Sequence, residues 1–336
     1  MDQAAIKIEE SSDPIFRTKE TGTQIEISGL RSPWKRGDVR RLWRNVKSIS
    51  SPIKTPDQFE VDLSVPGHEE WLDKLLDTED FIKSAMWRFT FLYDQGEYEW
   101  TYQFKPIPGI KIQGRKEKSK QGSLLKLAPQ HQTQFQTLNE KSGKPEKRLV
   151  ADASLTKANG AEQLGPIMGE FYAFDRDRPV LDIMPEAKTL TDFLDENGGV
   201  QVYRDGVRVY NYGERAAGDD WLGLDQRRVT HPTRRLSNNI IVGVIDLSLA
   251  ESGNPDIGLV EKTNREGFFE NDAFEKFKAI VLGALIELEN LREPDKENIR
   301  KLFKGPVAKS IADIESPLAD LRAELKKRKL DQTLAK

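Results

Sequence analysis

The sequence predicts an α+β protein: a mixed or antiparallel sheet with helices on one face, followed by a charged helical C-terminal tail. Two observations carry this. Several short runs alternate apolar and polar residues and are joined by turn residues, the period of strands paired in hairpins. Other stretches repeat apolar residues at three and four, the period of a helix with one buried face.

The strands come in order along the chain. "TGTQIEISGL" places Ile25 and Ile27 alternately against polar neighbours, and "QFEVDLSV" does the same with Phe59, Val61 and Leu63. "WRFTFLYDQGEYEWTYQF" reads as a hairpin of two aromatic-rich runs around Asp94-Gln95-Gly96. "GPIMGEFYAFDRDRPVL" opens with a strand, and "IIVGVIDLSL" is a strand of the fully buried type. The sharpest local signal is "VQVYRDGVRVYNYG". Asp205-Gly206 is the preferred pair for a two-residue type I′ turn. That register sets Val202 opposite Val209 and Tyr203 opposite Arg208, with Val200, Val202, Val207 and Val209 on one face.

Helices are expected elsewhere. In "RGDVRRLWRNVKSISSP", Val39, Leu42, Trp43 and Val46 form the stripe, with Asp38 as N-cap. "EEWLDKLLDTEDFIKSAM" and "LTDFLDENGG" also read as helices, the second stopped by Gly198-Gly199. From Asn271, Phe274, Phe277, Val281, Leu285 and Leu288 share one stripe, and the helix is expected to stop before Pro294. The remainder is a Lys-, Arg-, Asp- and Glu-rich helical pattern interrupted by Gly305-Pro306.

Composition removes several function classes. The chain has 336 residues, a formal net charge of −3 and no cysteine. The charge argues against a generally basic nucleic-acid coat. The missing thiols remove disulfides, thiolate metal sites and cysteine nucleophiles, and fit a cytoplasmic protein. No run approaches the ~18 apolar residues that span a bilayer. His68, His131 and His231 stand far apart, so no metal site is expected. Neither a GxxxxGK[ST] loop nor a GxGxxG turn is present. Asp175 and Asp177 share a strand face and are candidates to hold a cation, but Arg176 and Arg178 interleave with them and favour plain surface charge.

The remaining chemistry is basic. Six basic residues, Lys111, Arg115, Lys116, Lys118, Lys120 and Lys126, stand against one acid between Gly109 and Ala128. This segment reads as a solvated insertion or a local nucleic-acid contact. Arg227-Arg228 and Arg234-Arg235 flank a proline-containing loop with the same two readings. Arg265 sits in "EKTNREGFFENDAFEKF", where a loop becomes an apolar helix. By residue type alone it pairs with Glu261, Glu266 or Glu270 at the surface, or presents a guanidinium fork to a phosphate.

One part of the chain has a family likeness. "GVIDLSL…GLVEKTNREGFFENDAFEKF" resembles the transducer (middle) domain of the GHKL ATPases, the group of gyrase B, MutL, MORC proteins and the Hsp90 chaperone. Gly243, Val244, Ile245 and Asp246 match the family's strand, and Asn264, Arg265 and Glu266 match its Ser-Arg-Glu motif with Asn in place of Ser. "GEFYAFDRD", "VYRDGVRVYNYGE", "DWLGLD" and "RRLSNNIIVG" extend the resemblance over roughly residues 165–291. It implies a ribosomal-protein-S5-domain-2-like transducer fold. It also implies that Arg265, with Asn264 beside it, senses the γ-phosphate of ATP and is the one catalytic candidate. Gly22 and Thr23 match a Gly-Thr near the nucleotide. ATP and Mg would be held by a GHKL nucleotide-binding domain in cis or in trans, whose own Glu/Asn helix and Asp-x-Gly-x-Gly loop are not found in this sequence. The expectation is therefore a fragment or degenerate form of a longer, homodimeric ATPase that acts on DNA or protein, with no membrane partner.

The expected organisation follows. Residues 1–64 hold the end of the ATPase domain and a connecting helix and strand, and 65–110 the first part of the transducer. Residues 111–164 are expected as a polar basic insertion or mobile loop, 165–292 as the transducer core and 293–336 as the tail. The alternative is a non-enzymatic nucleic-acid-binding or scaffold module that uses the basic segments 111–126 and 227–235.

Overall fold

The hairpin of greatest local clarity forms in the register its turn dictates. In the computed structural model, β7 (Gly199–Arg204) and β8 (Val207–Val209) pair Val202 with Val209 and Tyr203 with Arg208. Asp205 and Gly206 both have positive φ, 50° and 74°, as a type I′ turn requires. The structure describes residues 27–29, 32–47, 49, 62–73, 81–94, 96–123, 125, 136–138, 145–147, 164–214, 220–248, 258–263 and 266–303.

Seven strands form one mixed sheet. Its order is β3 (Arg115–Lys118), β2 (Glu97–Phe104), β1 (Trp87–Asp94), β6 (Ile167–Ala173), β9 (Ile241–Leu247), β7 and β8. Every pairing is antiparallel except β7 with β9. A separate ribbon pairs β4 (Gln136–Leu138) with β5 (Pro145–Lys147). The α+β class with a mixed sheet is the architecture the alternating runs predict. The basic segment after Gly109 is in part structural, since β3 adds the sheet's outermost strand.

Aromatics fill one face. Trp87, Phe89, Phe91 and Tyr93 alternate inward on β1, and Tyr98, Tyr102 and Phe104 do so on β2. Two glycines make room for this density. Phe91 lies directly across from Gly169, where a Cβ would stand 2.1 Å from the ring, and Phe171 lies across from Gly243 at 3.0 Å. Against this face packs the long helix α5 (Asp272–Phe303), whose Phe274, Phe277, Val281, Leu285 and Leu288 are buried as the stripe predicts. The helices α1 (Arg36–Lys47), α2 (Arg178–Leu181), α3 (Ala187–Asn197) and α4 (Leu224–Thr230) are shorter. α3 sets Leu190, Phe193 and Leu194 on Tyr172, Phe174 and Val242, which point away from α5, so it covers part of the opposite face.

Four local expectations are corrected. α5 does not stop before Pro294 but runs through it to Phe303. Proline removes one helical hydrogen bond, and the side chains beyond it are held by partners on the sheet that local rules do not see. Asp38 stands inside the first turn of α1, bonding the Lys35 backbone N–H at 3.2 Å and Arg41 at 3.3 Å, so it is not the N-cap. Glu69–Leu72 is a single 3₁₀ turn that runs into extended backbone at Asp73, not the start of a long helix, while residues 74–80 lie outside the described residues. Residues 27–29 and 62–65 join no ladder, and Ile27 is 75% exposed. Alternation makes a strand only where a neighbour supplies the hydrogen bonds; the rest of those two runs is outside the described residues.

Candidate functional site

The N-terminal end of α5 is fixed by its cap. Asn271 Oδ1 accepts the Phe274 backbone N–H at 2.9 Å, and its Nδ2 donates to the Gly258 carbonyl at 3.0 Å. The same side chain thus satisfies the helix and ties it to the incoming loop. That loop is closed at its base. Glu261 bridges Phe268, Lys262 N–H donates to Gly267 O, and Phe269 N–H donates to Val260 O, both at 2.9 Å. Phe268 is buried among Tyr212, Phe274 and Phe277, and its N–H donates to the Tyr212 hydroxyl at 2.9 Å. Glu261 pairs with Arg204 of β7 at 3.2 Å. Asn264 and Arg265 lie between these anchors and outside the described residues, as do Gly22 and Thr23.

The second half of α5 carries a seam of buried charge that local patterning did not single out. Glu289, Arg292, Asp295 and Lys296 are each 4% exposed or less. They recur at three, six and seven residues, which puts them on one helix face. Each meets a different element, and together they tie α5 to β1, β2, β3, α4 and the chain after β6.

Glu289 receives two of the arginines expected to face solvent or nucleic acid. Arg227 donates to it at 2.8 Å, Arg235 at 2.7 Å and the Leu236 backbone N–H at 2.9 Å. Arg228 is bonded to Ser237 and Asn239, and Arg234 to Asn290 at 2.8 Å with Glu293 at 3.2 Å. The four arginines therefore fasten the segment from α4 to β9 onto α5 and onto itself. Burial pulls the Arg227 guanidinium below its usual range, against the pull of Glu289.

Arg292 lies over the Trp87 ring, 4.4 Å from its centroid, and burial lowers its pKa. Its Nε has no hydrogen-bond partner, nor do Trp87 Nε1 and Asp175 Oδ2. Asp295 accepts from the Tyr102 hydroxyl and from Arg115 Nε at 2.8 Å. Burial and then the bond to Asp295 push the Tyr102 hydroxyl well above the usual tyrosine range, so it stays a donor. The cation held by Asp175 and Asp177 is the Lys296 ammonium, bonded to the first and 2.9 Å from the second. Burial pushes the Asp177 carboxyl up, but the Lys296 bond, with Arg300 and Arg292 behind it, outweighs this and holds it below the carboxylate range.

The opposite face of the sheet holds Lys116 and Lys118, across from Gln103 and Thr101, and both are exposed, as is Lys120. A shallow groove of about 600 Å³ lies there, lined by Lys118, Lys120, Glu99 and Glu170 among others. Its acids offset its lysines, so it is not a one-sign channel. Among the described residues no cluster of His, Cys, Asp and Glu is placed to hold a metal ion, and no helix is long and apolar enough to cross a membrane.

Asp246, at the end of β9, is buried on this side beside the Asp205-Gly206 turn. Burial raises its pKa, partly offset by the Gly206 and Leu247 backbone N–H groups. A carboxyl raised in the fold contributes fully below its ordinary pKa of about 3.9, and that contribution is lost as pH rises through the folded value. Asp246→Asn keeps the acceptor and removes the ionisation. Its Tm is expected to exceed the wild type's at pH 7, with the difference vanishing towards pH 3, as thermal melts across that range will show.

No protein-family model matches the chain, and no curated protein matches it. Among solved structures, the B-subunit of the DNA gyrase from Myxococcus xanthus is similar over 64% of this chain and 71% of that one, at 8% identity and a TM-score of 0.23. A superposition that loose carries no weight for fold or function.

Proposed function

We propose that this chain is the transducing part of an ATP-driven switch of the GHKL type. Arg265 reaches the γ-phosphate of an ATP held with Mg by a nucleotide-binding domain, in cis or in trans, and α5 passes the change of state to the sheet. The observation that supports this reading is the double anchoring of the loop that carries Asn264-Arg265-Glu266. One end is tied to the sheet through Glu261 and Arg204, the other to α5 through Phe268 and Asn271. A guanidinium presented from such a loop gives two rigid donors and a charge that does not titrate, suited to a terminal phosphate. The motif match from Gly243 to Glu266 supplies the nucleotide.

Arg265→Ala is expected to lower ATP turnover of the chain together with that domain by about a hundredfold, as loss of one transition-state donor does elsewhere. The Kd for ATP should stay within about twofold, because the base and ribose contacts are made elsewhere. Turnover equal to wild type would remove Arg265 from the reaction. A nucleic-acid role retains the exposed Lys116, Lys118 and Lys120, but Arg227 and Arg235 already donate to Glu289 and would have to leave a buried carboxylate to take part.

A further inference from the structure

α5 is one helix with two kinds of docking. Between Ala273 and Leu288 its buried side chains are apolar, among them Phe274, Phe277, Ile280, Val281 and Leu285. Beyond Pro294 the buried side chains are Asp295, Lys296 and a single apolar residue, Ile299. That end is held to Tyr102, Arg115, Asp175 and Asp177 by charge. It also opens towards solvent: Asp177 is 46% exposed and Arg115 30%. Pro294 has no N–H to give the carbonyl four residues earlier, so the helix is weakest inside the charged seam, between Arg292 and Asp295. The buried ion just before it, Arg292, keeps an unbonded Nε, and Asp175 keeps an unbonded oxygen.

We propose that residues 295–303 form a latch that leaves and rejoins the sheet as one unit, hinged at Pro294. Apolar packing holds the first part of α5 at any salt concentration. Of the ion pairs that hold the latch, Arg115–Asp295 and Lys296–Asp177 each have one partner open to solvent, and these two weaken as salt screens them. Opening uncovers Tyr102 and Arg115 on β2 and β3 and frees Asp175 and Asp177. The inference stands apart from the nucleotide reading, since it needs only the contacts of α5.

Hydrogen exchange on the full chain tests it. At about 0.05 M salt the amides of 297–303 should exchange at one shared, faster rate than those of 274–288, with a step at Pro294. At about 1 M salt the shared rate should rise, while the earlier half stays unchanged. Pro294→Ala restores the missing donor and should slow the latch amides about tenfold or more. A smooth gradient of rates towards Phe303, which is ordinary fraying, would overturn the proposal. So would equal rates in both halves, or a latch rate indifferent to salt. A folded Pro294→Ala variant that exchanges as fast as wild type would remove the hinge.

Discussion

Replacing Glu289 with alanine is expected to destabilise the protein by about 3–5 kcal/mol, because it strands buried charge. Glu289 is fully buried and accepts from Arg227, Arg235 and the Leu236 backbone N–H together. Its loss leaves two guanidinium groups and an amide without that acceptor, at a position that is itself fully buried. Arg227 is least able to adapt, since burial already disfavours its charge and its Nη1 lacks a partner. Glu289→Gln should cost clearly less, since an amide oxygen still accepts one of the three donors. A combined Arg227→Met, Glu289→Leu, Arg235→Met variant should recover most of the loss, as apolar replacement of a whole buried ion cluster usually does. Urea denaturation separates the cases: the midpoint moves, and an unchanged m-value shows that the folded surface is the same.

The partners of Glu289 explain which parts of this structure were legible beforehand. Asp205-Gly206 fixed the β7–β8 register because a type I′ turn imposes backbone angles on two adjacent residues. Asn271 was legible as a cap for a similar reason: its bond reaches only to Phe274. Glu289 lies 54 residues from Arg235 and 62 from Arg227, so nothing in a local window pairs them. A still longer separation in sequence hid Lys296 from Asp175 and Asp177. The interleaved arginines favour plain surface charge for the two aspartates, but Asp175 is buried and both meet a cation, the Lys296 ammonium from far along the chain.

Pro294 marks the opposite failure. Local preference ends the helix there, and the tertiary contacts of Asp295 and Lys296 carry it on for nine residues beyond the proline. A proline in a helix interior costs about 3 kcal/mol, which the bonds to Tyr102, Arg115, Asp175 and Asp177 offset. For Arg265, Asn264, Gly22 and Thr23 the sequence motif remains the basis of the assignment. What the structure adds is the loop base, where Arg204 holds Glu261 before the triplet and Tyr212 holds Phe268 after it.

Trp87→Ala is expected to cost about 3–5 kcal/mol, the range for removing a fully buried large aromatic. Its ring is wholly buried, stacks on Phe104 at 5.7 Å and lies under the Arg292 guanidinium at 4.4 Å. The ring face is one favourable contact of an ion whose Nε is unbonded, so part of the cost belongs to Arg292 and not to the cavity. A double-mutant cycle with Arg292→Met divides the two. In the wild-type background Arg292→Met should be near neutral or stabilising, because it trades an underbonded buried charge for an apolar chain of similar reach. In the Trp87→Ala background it should be more favourable still, by about 1–2 kcal/mol, since the arginine there has lost its ring. If the two changes simply add, Arg292 is held by the carboxylates of Asp175, Glu289 and Asp177 at longer range, and the tryptophan serves only to fill the core.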